Sequence, residues 1–262
     1  MLTAIIGHLL AVCIGLSLGL VGSGGSVLAV PVLVYVMAVP SKAAIAMTLA
    51  IVGTVSAIGV IPHWLQGNVN LKTAIAFTPP AMVGAYLGAR IAGLPFITDT
   101  FQLVSFGIVV AIASLFMIGK NHRTIPVPKD IEELDKSHQK HGHKLRWLAV
   151  PLEGLGVGIL TGFVGVGGGF MIIPALVLLG GIPMKEAIGT SLLIIVFKSA
   201  TGFVGYLSQV ELDLNLMVTF TLAAAFGTVG GAYLTKHIEA KHLEKGFGYF
   251  VLAVAIFVLI RR

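Results

Sequence analysis

The sequence predicts an all-α polytopic membrane protein of about eight transmembrane or re-entrant helices arranged as two homologous repeats. Three observations predict it. The chain is 56% hydrophobic and 11% charged, a balance in which a soluble domain of the same length would expose far more charge. Charged residues gather in one central stretch and near the C-terminus, leaving long apolar windows, and about 20 such residues suffice to span a bilayer. Finally, Gly19, Gly22, Gly24, Gly25 and Pro31 recur as Gly162, Gly165, Gly167, Gly168 and Pro174 at a constant offset of 143 positions, without a gap.

Residues 2–38 are apolar throughout except for Gly22-Ser23-Gly24-Gly25-Ser26. One helix over that window would be about 55 Å long, against a hydrocarbon core of about 30 Å, so two segments meeting at the glycines fit better. The N-terminus lacks the basic stretch of a cleaved signal peptide, and residues 2–21 read as a retained helix. Pro40-Ser41 supplies a turn and a helix start, and the next apolar run reaches Trp64, with His63 and Trp64 placed at the interface. After the polar turn Gln66–Asn70, residues 71–93 form a span carrying Pro79-Pro80, with Gly84 and Gly88 spaced for close helix approach. Residues 101–119 complete a first membrane repeat, 1–119.

A hydrophilic linker, 120–147, follows, with Pro126, Pro128 and mixed charges. His138, His141 and His143 within it read as solvated residues rather than metal ligands, because lysines surround them and no cysteine or carboxylate completes a set. The second repeat, 148–262, returns Pro40, Lys42, Leu49, Gly59, Gln66, Gly84 and Gly88 as Pro183, Lys185, Leu192, Gly202, Gln209, Gly227 and Gly231 at the same offset. Duplicated bundles with paired, glycine-interrupted segments are the sequence sign of a secondary transporter with its site between the repeats. Lys120, Arg123, Arg261 and Arg262 favour a cytoplasmic linker and parallel repeats, whereas hairpins that change the crossing parity give inverted ones.

With Gly162-Phe163-Val164-Gly165-Val166-Gly167-Gly168-Gly169, Pro174, Gly189-Thr190-Ser191-Leu192 and their first-half counterparts in view, the chain resembles the TauE/SafE-type sulfite exporter family of membrane permeases over nearly its whole length. The resemblance implies an inner-membrane transporter, bacterial or archaeal, of small anions such as sulfite, thiosulfate or organosulfonates. The first-half motif departs from the second, with Ser23 and Ser26 in place of Val166 and Gly169.

Glycine weakens an apolar helix and packs nothing, so two in-phase clusters call for a reason. Free amides at a helix break form an anion site, which makes Gly22, Ser23, Gly24, Gly25, Ser26, Gly165, Gly167, Gly168 and Gly169 candidate contacts, facing one another near the membrane midplane. Close helix packing is the structural alternative. Thr48, Thr190 and Ser191 offer hydroxyls near a helix start, unless they bond back to their own helix. Lys198 is the sharpest residue: no other charge lies between Ala187 and Val210, and a cation at that depth costs at least about 2.5 kcal/mol on insertion scales. Its first-half equivalent is Val55. Gln66 and Gln209 are neutral donors at helix ends, where capping competes with ligand binding, Arg90 is an interfacial anchor, and Glu153 is a proton-coupling candidate.

The partners implied are a small anionic substrate and the lipid bilayer, with a homo-oligomer compatible. No basic patch interleaved with aromatics points to nucleic acid, and nothing calls for a cofactor or a metal. Cys13 is the single cysteine, so an intrachain disulfide is impossible. The contrasting reading is a membrane-embedded enzyme, or a chromophore protein with a Schiff base at Lys198; the first needs a nucleophile and base that sequence proximity does not supply.

Overall fold

The structure, a computed structural model, describes residues 2–95, 97–119, 135–164, 169–178 and 181–235, with 249, 252, 253 and 256 beyond them. Among these residues every regular element is helical. Helix α1 (Leu2–Val21) stops at the first glycine cluster, and the chain continues through a 3-10 turn (Gly22–Leu28), α2 (Ala29–Pro31) and a π turn (Val32–Val36). Next come α3 (Ser41–Leu65), α4 (Leu71–Ala92) and α5 (Asp99–Gly119), then α6 (Asp135–Val164), α7 (Gly169–Leu178), α8 (Met184–Tyr206) and α9 (Leu214–Leu234).

Three of these helices, α3, α8 and α9, are long and apolar enough to cross a membrane, and shorter apolar stretches lie at Ile5–Val21, Ser26–Val36, Thr100–Val109 and Val150–Val164. Large side chains such as Phe226 and Leu222 stand 80% and 67% exposed, an outward apolar surface that suits lipid and would be a liability in water. The hydrophilic linker expected over 120–147 gives way to helix at Asp135, which runs on into the apolar part of α6. Positions 120–134 lie outside the described residues.

The spans α4 and α9 begin alike. The side chain of Asn70 accepts the Thr73 amide at 3.1 Å and that of Asp213 accepts the Leu216 amide at 2.9 Å, each satisfying a donor that a helix start leaves open. These two caps are related by the same offset of 143.

Glycine contacts fix how the helices lie. A side chain on Gly15 would strike the Ala224 backbone and one on Gly19 the Thr228 carbonyl, so α1 and α9 run in the same direction in close contact. Thr228 Oγ1 adds a hydrogen bond to the Gly15 carbonyl at 2.9 Å. Gly158 meets Ala81 and Gly162 meets Ala85 in the same way, placing α6 along α4. Helices in lipid gain from such close backbone approach because apolar side chains alone do not prefer each other to lipid. The α3–α8 pair is different: Gly53 faces Ser199 while Gly202 faces Leu49, so these two cross antiparallel.

Helices α1 and α3 run together, because Gly7 abuts Met37 just before α3 and Gly19 meets His63 near its end. Segment 22–36 therefore crosses back from the end of α1 to its beginning. That extra crossing leaves α1, α3 and α9 pointing one way and α4, α6 and α8 the other. Helices matched by the offset, α1 with α6, α3 with α8 and α4 with α9, are thus inverted, and the parallel relation that the terminal charges favour is not the one adopted.

Two glycines on one helix test this packing. Gly158→Leu forces a side chain into the Ala81 backbone, whereas Gly156 has nothing within 4 Å. Overpacking of this kind costs about 1–3 kcal/mol or more. Gly158→Leu should lower the melting temperature of the detergent-solubilised protein by several degrees and Gly156→Leu should leave it unchanged, as read by fluorescence-detected size exclusion after heating.

Candidate functional site

At the first cluster the break is a property of Gly22. Its φ of +70° is a left-handed conformation open to glycine, and a Cβ there would sit 3.1 Å from the Ile188 backbone. Gly22 is thereby seated against the start of α8. Gly189, the next residue of that helix, leaves no room for a side chain between the Asn68 carbonyl and His63. Thr190 Oγ1 accepts the Asn70 amide at 2.8 Å, tying the turn after α3 to the same spot. The structure thus brings the first glycine cluster to the second half's Gly189-Thr190-Ser191.

The rest of that cluster, Ser23, Gly24, Gly25 and Ser26, continues in the 3-10 turn, with Ser26 fully buried. Gly165, Gly167 and Gly168 lie outside the described residues, between the end of α6 at Val164 and the start of α7 at Gly169. The Gly22–Leu28 turn packs against α7, so the two segments that follow the glycine clusters meet. The Gly22 break and the end of α6 do not lie at one level. Gly22 lies by the start of α8, whereas the end of α6 lies by Tyr206, the last residue of α8. The two therefore stand at opposite ends of α8, and the Gly22–Leu28 turn meets α7 between them.

A helix that stops inside an apolar medium leaves carbonyls without intrahelical donors. Here they are met by side chains. The Gly19 carbonyl accepts from His63 Nε2 and from Thr235 Oγ1, both at 3.1 Å, and the Leu20 carbonyl accepts from Thr235 at 3.2 Å. At the end of α6 the Tyr206 hydroxyl lies 3.1 Å from the Gly162 carbonyl, and Gln102 Nε2 donates to the Phe163 carbonyl at 2.6 Å and to the Tyr206 oxygen at 2.9 Å. Gly19 and Gly162 are equivalent under the offset, and so are His63 and Tyr206. The interfacial placement of His63 is therefore corrected: it is fully buried, while Trp64 beside it is 49% exposed. Its sequence signal was the match to Tyr206, which likeness of residue type conceals.

Lys198 is also fully buried, and its Nζ donates to Thr161 Oγ1 at 2.8 Å. Thr161 donates in turn to the Val157 carbonyl at 2.7 Å, which leaves its lone pairs for the ammonium. Since α6 runs to Val164, about one turn beyond Thr161, Lys198 sits toward the end of α6 where the helix dipole is negative. The equivalent pair in the first half is Val55 and Leu18, so this charge has no counterpart.

The hydroxyls divide into two groups. Ser191 donates to the Ile188 carbonyl at 2.8 Å, the bond back to its own helix that competes with a ligand role. Thr48, Ser56 and Ser199 are fully buried, and among the described residues their hydroxyl oxygens have no hydrogen-bond partner. Ser56 and Ser199 are equivalent under the offset, and Ser199 packs on Gly53 at the crossing of α3 and α8. Gln66 and Gln209 stand at opposite ends of that crossing. Gln66 reaches the Ala232 carbonyl at 3.5 Å, and Gln209 the Ala89 carbonyl at 3.5 Å and the Gly205 carbonyl at 2.7 Å. Arg90 is exposed, with Nη1 3.5 Å from the Ser208 hydroxyl, as an anchor at a span end would be.

The arrangement offers hydroxyl donors, a buried ammonium and broken helices within an apolar bundle. Groups of these kinds can hold a small polar solute in a medium that otherwise excludes it.

Comparison with known proteins agrees with this geometry. Residues 8–258 match the family model described as sulfite exporter TauE/SafE. A probable membrane transporter protein of Xylella fastidiosa is 33% identical over 261 residues, covering 95% of this chain and 92% of its own length. The probable membrane transporter protein YdhB of Bacillus subtilis is 23% identical, covering 94% of this chain and 96% of its own. A probable membrane transporter protein of Methanocaldococcus jannaschii is 23% identical, with 96% and 95% covered. No solved structure matches the chain. With a family model spanning all but its ends, this integral membrane protein belongs to the TauE/SafE sulfite exporter family of membrane transporters.

Proposed function

We propose that the chain is a secondary transporter of small anions such as sulfite, thiosulfate or organosulfonates, and that the anion binds between the two returning segments that the glycine breaks create. The observation that carries this reading is Lys198, a fully buried lysine held by Thr161 near the end of α6. A charge retained at such cost inside a membrane bundle is by default functional. Backbone amides of the glycine clusters, including Gly22, Gly24, Gly25, Gly165, Gly167, Gly168 and Gly169, supply further donors, as do Ser23, Ser26 and Thr48.

Two further features support a transporter built from inverted halves. Contacts at Gly15, Gly19, Gly84 and Gly88 are matched by those at Gly158, Gly162, Gly227 and Gly231 under the same offset. The Gly22 break and the end of α6 lie at opposite ends of α8, which suits access from each side in turn as one half rocks on the other across the α3–α8 crossing. Gln66 and Gln209 then serve as ties between helices at the two mouths rather than as central contacts.

Purified protein in liposomes should carry thiosulfate, sulfite or an organosulfonate down an imposed gradient. Lys198→Ala should insert at normal levels and lose at least tenfold of that flux; undiminished flux in the variant removes Lys198 from the mechanism. Ser56→Ala and Ser199→Ala separate binding from stability. Their hydroxyls satisfy no helix carbonyl, so removing them should leave the melting temperature unchanged or slightly raised. If they contact the anion, half-saturation of transport should move to higher anion concentration.

A further inference from the structure

We propose that His63 is the proton-binding site of the transport cycle, so that anion and proton move together; this rests on the transporter reading above. His63 is fully buried near the end of α3, and its Nε2 lies 3.1 Å from the Gly19 carbonyl. A carbonyl oxygen only accepts, so Nε2 bears the hydrogen and Nδ1 carries the lone pair. That Nδ1 has no hydrogen-bond partner among the described residues. Buried polar atoms are almost always paired, and an exception asks for a role. A basic nitrogen kept unpaired within the protein is a place for a proton.

The surroundings locate this group in the transport path. Gly19 is in the last turn of α1, immediately before the Gly22 break, and Gly189 of α8 has its open side against the His63 Cβ. A proton on Nδ1 would thus place a positive charge at the C-terminal end of α1, where the carbonyl dipoles favour it. Lys198 occupies the same relation to α6 through Thr161. The two returning segments lie bracketed between the Lys198 amine and a charge acquired with a proton.

Position 206, the equivalent of 63, carries a tyrosine, whose phenol holds its proton over the range in which an imidazole exchanges one. Among the described residues, His63 is thus the imidazole at the helix end marked by Gly19, and a tyrosine stands at the equivalent end marked by Gly162.

The charged and titratable groups on the packed elements do not replace it. On α1 they are His8 and Cys13, both well before Gly19, and the Gly22–Leu28 turn and α7 have none. On α3 the other is Lys42, at its opposite end. The start of α8 carries Lys185 and Glu186, with Lys198 and Tyr206 farther along, and the turn before α9 and α9 itself carry Glu211, Asp213 and Tyr233. Glu186 Oε2 accepts from Asn70 Nδ2 at 3.4 Å, and Asn70 donates its amide to Thr190, next to Gly189. This acid lies at the mouth of the same region and is suited to pass a proton inward. Coupling is reciprocal: the proton strengthens anion binding and the anion strengthens proton binding by the same factor.

Two assays on the reconstituted full chain test the proposal. Counterflow of labelled thiosulfate without a pH gradient reports transport itself. Thiosulfate keeps its charge around neutral pH, so changes with pH belong to the protein. An imposed gradient, with a pH-sensitive dye trapped inside, reports proton movement. Wild type should accumulate thiosulfate when protons flow inward, with the dye recording acidification that depends on thiosulfate, and its half-saturation should rise with pH. His63→Gln keeps a donor for the Gly19 carbonyl and has nothing to titrate; His63→Tyr installs the residue found at position 206. Either variant should show counterflow whose half-saturation no longer varies with pH and lies at higher thiosulfate concentration than that of wild type, lose at least tenfold of gradient-driven accumulation and show no thiosulfate-dependent acidification. Proton-driven uptake that persists in a folded, counterflow-competent variant overturns the proposal, as does wild-type uptake indifferent to the gradient. Absence of counterflow in wild type with every anion tried would overturn the transporter reading, and this proposal with it.

Discussion

Backbone polar groups have no water to turn to inside a bilayer, and this constraint organises the whole structure. Where α1 and α6 stop short, their last carbonyls are met by His63, Thr235, Tyr206 and Gln102, drawn from elements distant in sequence. Each broken helix is therefore stable only in the assembled bundle. Leaving such a group buried and unmet costs about 1–3 kcal/mol, so a handful of these bonds decides whether the breaks can exist.

Packing meets the same constraint by another route. Small residues on α1, α4, α6 and α9 bring backbones into contact, so α1 of the first half lies along α9 of the second and α6 of the second lies along α4 of the first. The halves are consequently interleaved rather than merely adjacent, and their shared surface centres on the antiparallel crossing of α3 and α8. Close packing and unmet hydroxyls are concentrated in different places on this frame. The glycine-lined pairs α1–α9 and α4–α6 are tightly packed, whereas Thr48, Ser56 and Ser199 forgo the helix bonds that Thr54, Thr161 and Ser191 make. Lys198 and Thr161 then introduce an asymmetry that the symmetric backbone does not require.

Much of this was readable from residue order. The helical spans, the interruption at Gly22, the tight approaches of Gly84 and Gly88 and the depth of Lys198 all follow from local composition and spacing, because each reflects a demand the bilayer makes on a single segment. The matched offset identified equivalent helices for the same reason. What it could not supply was their direction. That depended on segment 22–36 traversing the bundle instead of folding back, and its short apolar length is compatible with either course. Asp135–Arg146 read as linker because its side chains are polar, although polar residues continue a helix readily once neighbouring turns have formed.

By itself, the sequence determined that this chain lives in a membrane and that its first apolar window is interrupted at Gly22, since hydrophobicity and glycine content act locally. Only the tertiary structure decided which residues answer the interruptions. His63 was hidden because an imidazole beside Trp64 at a helix end looks like an interfacial residue, and its burial arises from Gly19 and Gly189, 44 positions before it and far beyond it in the chain. Partners of this kind are chosen by packing between helices, and no property of a single segment carries that information.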